Sequence, residues 1–259
     1  MKNDEFGDRM KAHEHEYTEA YVPIDKILCV RIDGKGFSKF TKGFKKPFDD
    51  ILGGVMVNTM MNLVKYTHAS IGYTQSDEIT LIYTPGEKSS EYMFGGKVSK
   101  INSILASMAT FHFNATLSEC VKMDKPAFFD CRAWAVPDLA EASNVLLWRV
   151  QDARKNSISS LFRWTVGHSK MHGLSGEEMK ALLKSDYFTD WAELPNKYKY
   201  GTYAKPVTVE SYLTQAELMK IPEHKRPDAD VLVKRTKIQE LDLVFFGDYT
   251  LDQRVGYVK

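Results

Sequence analysis

The run Ile27-Leu28-Cys29-Val30-Arg31-Ile32, followed at once by Asp33-Gly34-Lys35-Gly36, decides the fold. Mostly apolar residues of strand length end at a turn whose glycines let the backbone bend tightly and pass close to a ligand. Downstream, Phe48, Ile51, Leu52, Val55, Met56, Thr59, Met60 and Leu63 recur at helical spacing, which predicts an amphipathic helix over about 48–67. A strand over 70–74 then meets another over 79–84 through the polar turn Gln75-Ser76-Asp77-Glu78, predicting a hairpin. A helix over about 91–113 and a strand over about 127–136, stopped by Pro137, complete the order strand, helix, strand, strand, helix, strand. This is the ferredoxin-like βαββαβ order, an α+β fold in which helices flank an antiparallel sheet.

That order has a geometric consequence. The first helix crosses over and returns the second strand parallel to the first, and the third strand runs back between them. Asp33, at the end of the first strand, and Asp77, in the hairpin turn, therefore meet at one rim of the sheet although they are far apart in sequence. Unpaired carboxylates held close repel unless a cation lies between them. Oxygen ligands select Mg²⁺, which commonly takes one or two carboxylates plus substrate phosphates, and two such ions can clamp an in-line displacement. Glu78 is a further acid at this edge. Taken singly, each acid is an ordinary turn residue; their convergence is what points to a site.

Gly34 and Gly36 leave amides open to cradle a triphosphate, although the Walker A spacing is absent. Lys35, Lys39, Lys42, Lys45 and Lys46 follow with no acid between Asp33 and Asp49, interleaved with Phe37, Phe40, Phe44 and Phe48. Such a pattern suits phosphate contact and base stacking, and equally a solvated loop with some rings in the core. Lys97 and Lys100, three apart on the next helix, share a face from which they could reach the same phosphates; exposed helix lysines are the ordinary alternative.

Lys plus Arg number 35 against 34 for Asp plus Glu, so any polyanion must be attracted by local patches rather than by a whole-molecule field. With 43% apolar and 27% charged residues the composition is that of a globular chain. Cys29, Cys120 and Cys131 form no Cys-x-x-Cys pair, which argues against a disulfide framework or cysteine zinc site and for a reducing compartment. The N-terminal stretch lacks an apolar signal region, and no apolar run reaches the ~18 residues of a membrane span. The expectation is a cytoplasmic protein with no membrane partner. A charged helix is expected over about 4–20, where His13-Glu14-His15-Glu16 lacks the spacing that puts two imidazoles on one face.

Beyond the core, Asp138 with Glu141 is a capping-box signature for a long helix to about Gly167, and Ser175 with Glu178 repeats it for a shorter one. Three stretches are expected: 1–137 as the catalytic core with its N-terminal helix, 138–205 as a helical region and following strand completing it, and 206–259 as a C-terminal accessory segment.

Several of these residues resemble one family. Arg31-Ile32-Asp33-Gly34-Lys35-Gly36-Phe37, Gln75-Ser76-Asp77-Glu78, Phe94-Gly95-Gly96-Lys97-Val98-Ser99-Lys100 and Phe129-Asp130-Cys131-Arg132 are similar to motifs of the tRNA-histidine guanylyltransferase superfamily. So are Gly7-Asp8-Arg9-Met10-Lys11 and Trp148-Arg149 with Asp152. The resemblance covers about residues 5–205. It implies a polymerase-type palm that adds nucleotides in the 3′ to 5′ direction to the 5′ end of a tRNA. By the same resemblance Asp33, Asp77 and the carbonyl of Gly34 hold two Mg²⁺ ions, and Glu78 is needed for activity. Gly34, Lys35, Gly36, Phe37, Ser76, Lys97 and Lys100 lie against a nucleoside triphosphate, GTP or ATP, and relatives are tetramers built as dimers of dimers.

Eukaryotic members carry His-Ile-Asn-Asn-Leu-Tyr-Asn after the Trp-Arg segment, where this chain has Arg154-Lys155-Asn156-Ser157-Ile158-Ser159-Ser160. The missing histidine resembles the guanylyltransferase-like branch, whose members repair tRNAs with incomplete 5′ ends by templated addition. Arg132, Trp148, Arg149, Arg154, Lys155 and Asn156 are then RNA contacts. Alternatively, Trp148 is core and Asp152 pairs with Arg149 or Lys155 along the helix. Histidine-tRNA guanylylation at position −1, a palm-type nucleotide cyclase and a non-catalytic RNA-binding module are the competing readings. The C-terminal Lys225-Arg226-Pro227, Lys234-Arg235-Thr236-Lys237 and a strand over Leu241–Phe246 suit either an accessory β element on RNA or an oligomer arm.

Overall fold

In the computed structural model, which describes residues 5–85, 92–227, 231–241 and 245–259, the opening apolar run is strand β1 (Ile27–Gly34), flanked on both sides by other strands. With β2 (Ile71–Gln75), β3 (Glu78–Tyr83), β4 (Phe129–Val136), β5 (Thr202–Tyr212) and β6 (Leu232–Leu241) it forms a six-stranded sheet of order β4-β1-β3-β2-β5-β6. Every neighbouring pair is antiparallel. β1 and β2 consequently run parallel with β3 between them, as the βαββαβ order requires.

β1 is apolar on both faces because both are covered. Leu28, Val30 and Ile32 pack under α3 (Asp50–Thr67) and α4 (Val98–Cys120), while Ile27 and Cys29 pack under α5 (Leu139–Thr165). On α3 Val55, Met56, Thr59, Met60 and Leu63 of the expected stripe are buried, joined by Val64, while Ile51 is 44% exposed. Its start is set by Asp49, whose carboxylate accepts from the backbone N–H of Leu52 at 3.0 Å and of Lys45 at 2.9 Å. On α4 the stripe is Ile101, Leu105, Ala109, Phe113 and Leu117. The second half of α5 packs Ile158, Leu161 and Phe162 against α6 (Gly176–Tyr187) and Trp191.

The remaining helices are α1 (Glu5–Thr18), which buries no residue, and the short α2 (Phe37–Phe40), α7 (Asn196–Tyr200) and α8 (Gln215–Leu218), with α9 (Leu251–Val258) at the end. Among the described residues no helix is long and apolar enough to cross a membrane.

Three expectations change. The helix expected from residue 91, which itself lies outside the described residues, starts only at Val98 and runs on to Cys120. Phe94, Gly95 and Gly96 all have positive φ, 56°, 61° and 77°, which no helix continues through. A Cβ on Gly96 would lie 2.7 Å from the Val22 carbonyl, so the close approach of that segment also requires glycine. Lys97 thus precedes the helix rather than sharing its face with Lys100. The box at Asp138 is half made: its carboxylate accepts from Glu141 N–H at 2.9 Å with no return bond, whereas the Ser175 box is complete. Finally, the strand expected over Leu241–Phe246 ends at Leu241 and begins at Leu232; residues 242–244 lie outside the described residues, and Phe246 is fully buried in a 3₁₀ turn. β5 runs through residues 205 and 206, pairing with β2 at Thr202–Ala204 and with β6 from Tyr203 to Tyr212.

Candidate active site

Asp33 and Asp77 do meet. Asp33 stands opposite Glu78 in the β1–β3 register, and the backbone N–H of Gly34 donates to the Asp77 carbonyl at 3.0 Å. The turn between β2 and β3 is only Ser76 and Asp77, with Ser76 in the left-handed region at φ 51°. That sparsely populated conformation in a non-glycine residue turns the Ser76 hydroxyl to donate to the Asp77 carboxylate at 3.0 Å. Both acids and Glu78 line one wall of a cleft of about 620 Å³, a size that fits a small-molecule ligand.

The three acids differ in environment. Among the described residues no side chain bonds or pairs with the Asp33 carboxylate. Burial pushes the Asp77 carboxyl above the usual carboxylate range, the Ser76 bond works against this, and the negative charge of Asp33 adds to the rise. Glu78 is locked instead. Arg149 Nε donates to Oε1 at 2.6 Å and Nη2 to Oε2 at 2.7 Å, with the two side chains 7% and 9% exposed. Burial works to lower the Arg149 pKa, but the Glu78 and Asp152 carboxylates outweigh it and hold the guanidinium protonated.

This donor set fits a hard divalent cation. Two acids of like charge, one lifted by burial and by the other, gain most from a cation shared between them, and the ligands are oxygen only. Among the described residues no group of three or more His, Cys, Asp or Glu gathers as a metal site.

The other expected residues divide. The Lys35 N–H donates to the Phe128 carbonyl at 2.8 Å, and Gly36, at φ 65°, caps α2. Phe37 is 7% exposed and its ring packs on Phe113 and Phe129, each at 5.3 Å, so only its backbone can meet a nucleotide. The ring is core because a Cβ-less Gly34 lets it fold back against the strand end. Neither Lys97 nor Lys100 lines the cleft; Lys97 Nζ donates to Glu19 at 3.0 Å, which raises its pKa, and Lys100 is exposed. Arg132 is exposed beside Asp130 at 3.4 Å.

Trp148 is 47% exposed and not core, with the guanidinium carbons of Arg149 and Arg31 at 4.4 and 5.5 Å from its ring centroid. Arg149 itself is not placed to touch RNA: it is buried, and Nη1 donates to Asp152 at 2.7 Å along the helix. Asn156 is exposed in the cleft. Arg154, 3.3 Å from Glu177, and exposed Lys155 line a separate, smaller hollow.

Two cleft residues escaped the sequence reading. Arg163 follows Arg149 and Asn156 at sevenfold spacing, which puts all three on one helix face, and that period was the signal available. Lys197, from α7, pairs with Asp50 at the start of α3, where Tyr198 stacks on Phe48 at 4.6 Å. No local pattern announces a contact across 147 residues.

An antiparallel sheet that brings two acids to one rim beside such a cleft is the arrangement that metal-assisted phosphoryl transfer requires. A family model described as "Thg1: tRNAHis guanylyltransferase" matches residues 7–137. An uncharacterized protein of Acanthamoeba polyphaga mimivirus is 31% identical over 81% of this chain and 80% of its own length. The tRNA(His) guanylyltransferase of Saccharomyces cerevisiae is 28% identical over 78% and 90%. Among solved structures, a bacterial tRNA(His) guanylyltransferase (Thg1)-like protein in complex with ATP superposes with TM-score 0.74 at 37% identity, covering 77% of this chain and 88% of that one. A bacterial Thg1-like protein in complex with GTP gives 0.73 at 29% identity, covering 98% and 99%. The chain belongs to the tRNAHis guanylyltransferase (Thg1) family and is a nucleotidyltransferase.

Proposed function

We propose that this protein adds nucleotides in the 3′ to 5′ direction to the 5′ end of a tRNA with an incomplete end, each chosen by pairing with the opposite strand. The observation that carries the reading is the meeting of Asp33 and Asp77 at the rim of the cleft. The arginine that replaces the motif histidine, Arg154, favours this over histidine-tRNA-specific guanylylation. The similarity to tRNA(His) guanylyltransferases supports the second reading, addition of G at position −1.

The chemistry is phosphoryl transfer, in which positioning and charge neutralisation do most of the catalysis. A 5′ monophosphate is activated when its oxygen attacks the α-phosphorus of ATP or GTP, forming a phosphoanhydride to AMP or GMP and releasing pyrophosphate. The 3′ hydroxyl of the incoming nucleotide then attacks the α-phosphate of the activated, or already triphosphorylated, end and expels AMP, GMP or pyrophosphate. Asp33, Asp77 and the Gly34 carbonyl would hold two Mg²⁺ ions, which when bound supply charge neutralisation and a more acidic hydroxyl. The backbone from Gly34 through Lys35 and Gly36 to Phe37, with the Ser76 hydroxyl, faces the triphosphate. Lys97 and Lys100 stay in this set on the resemblance alone. Exposed Arg132, Trp148, Lys155 and Asn156, with Arg154, meet the RNA, through stacking and phosphate contact. A cytoplasmic homotetramer belongs to the same reading.

The test is incubation with Mg²⁺, the four triphosphates and tRNAs shortened at the 5′ end that differ in the templating base. Addition that follows the template supports repair; G added only to histidine tRNA supports the second reading. A cyclic nucleotide formed without RNA would replace both.

A further inference from the structure

We infer that Arg149 is a positioning residue for nucleotidyl transfer: by gripping Glu78 it fixes the turn that presents Asp77 beside Asp33. The inference rests on the proposed role of those two acids and adds the part that holds them in place.

The ladder of the hairpin that carries Asp77 ends at Glu78, which pairs with Gln75 and Asp33, and the turn lies beyond it. That turn is two residues long, and one of them, Ser76, is exposed and left-handed at φ 51°. Asp77 is tied to β1 by the single bond from Gly34 N–H. Glu78, the next residue, is held at both ends. Its carbonyl accepts from the Thr74 hydroxyl at 2.9 Å, and both carboxylate oxygens take one edge of Arg149 at 2.6 and 2.7 Å.

Arg149 is anchored in turn by Asp152 at 2.7 Å and by the Trp148 ring at 4.4 Å, all on α5 and 71 residues from Glu78. The fork therefore bolts the start of β3 to α5, the longest helix among the described residues, and Arg149 lines the same cleft as the acids. A lysine cannot reproduce this, because its point charge lacks the paired donors. Stability alone does not call for the pair, since a buried ion pair is often no better than well-packed apolar residues of equal volume. The site does call for it: of the three acids at the rim, the one fixed by a cation of the protein leaves the other two to share a cation from outside.

The experiment compares wild type with Arg149→Lys by single-turnover templated addition, affinity for a 5′-shortened tRNA, and backbone amide exchange over residues 75–78 in metal-free protein, well below the melting temperature. The maximal rate at saturating tRNA should fall about 100-fold with tRNA affinity within about threefold, the size expected when reacting groups are misplaced. Exchange at Asp77 and Glu78 should quicken about tenfold as the turn loosens. A weaker affinity with unchanged maximal rate and exchange would make Arg149 an RNA contact and overturn the inference. So would a lowered melting temperature with both the saturated rate and the exchange unchanged. Should Arg149→Lys fail to fold, Glu78→Gln gives the same exchange reading, and wild-type protection there overturns the inference. If wild type adds no nucleotide to any tRNA, the proposed function fails on its own, while the exchange comparison still decides whether Arg149 holds the turn.

Discussion

Gly34 and Asp77 are joined by one backbone hydrogen bond of 3.0 Å, and through it the end of β1 and the β2–β3 turn become a single structure. The residue before Gly34 and the side chain of Asp77 are thereby set on the same rim, which is the geometry on which the proposed chemistry depends.

Gly34 tolerates no side chain. A Cβ there would lie 2.2 Å from the Phe37 ring, which is itself packed on Phe113 and Phe129. Gly34→Ala is expected to cost ~1–3 kcal/mol by overpacking, read by urea unfolding, and to lower the addition rate more than stability alone accounts for, because the same bond carries Asp77.

Phe37 belongs to the core and not to a base-stacking platform. Phe37→Ala is expected to lose ~3–5 kcal/mol of stability, the usual range for truncating a buried aromatic ring. Phe37→Leu, which keeps most of the volume, should bind GTP with wild-type affinity in calorimetry. A large loss of GTP affinity in a well-folded Phe37→Leu protein would restore the stacking role.

Arg163 has no acid partner among the described residues and is exposed on the cleft. Arg163→Ala should leave the free energy of unfolding within ~0.5 kcal/mol of wild type, as for exposed positions generally. It should nevertheless weaken tRNA binding and flatten its salt dependence by about one unit of slope if it contacts a phosphate. Unchanged affinity and slope would remove it from the interface.

The cysteines should differ in reactivity. Burial pushes the Cys29 and Cys131 thiols up to about 12, so near pH 8 both stay protonated and unreactive in the folded protein, while Cys120 is exposed. Because a raised thiol pKa withholds the thiolate until the pH nears the folded value, raising the pH from 7 to 9 should not open these sites. Iodoacetamide followed by intact mass should show one adduct on native protein and three in denaturant. Two or more native adducts would contradict the packing of β1 and β4.

Much of this arrangement was legible because it follows from period and order. The apolar run at Ile27, the stripe on α3 and the hairpin around Asp77 each follow a local rule, and the crossover between β1 and β2 then leaves one way for Asp33 and Asp77 to lie. What escaped is non-local. That Glu78 is claimed by Arg149 could not be read from either residue, since an acid in a turn and an arginine on a helix carry no mark of their pairing. Phe37 was ambiguous for the same reason: interleaved lysines and phenylalanines have one pattern whether the rings stack on bases or on Phe113. The late start of α4 is hard to read because the apolar period runs on through Phe94-Gly95-Gly96, while the positive φ of all three, and at Gly96 the close approach of Val22, break the helix there.

The central claim is that Asp33 and Asp77 jointly grip a divalent cation beneath a triphosphate, and Mn²⁺ titration of the GTP-bound protein, followed by water-proton relaxation, tests it most directly. Asp33→Asn and Asp77→Asn should each weaken Mn²⁺ binding by at least about tenfold, with the fold intact by circular dichroism. Wild-type Mn²⁺ affinity and stoichiometry in either variant would contradict it.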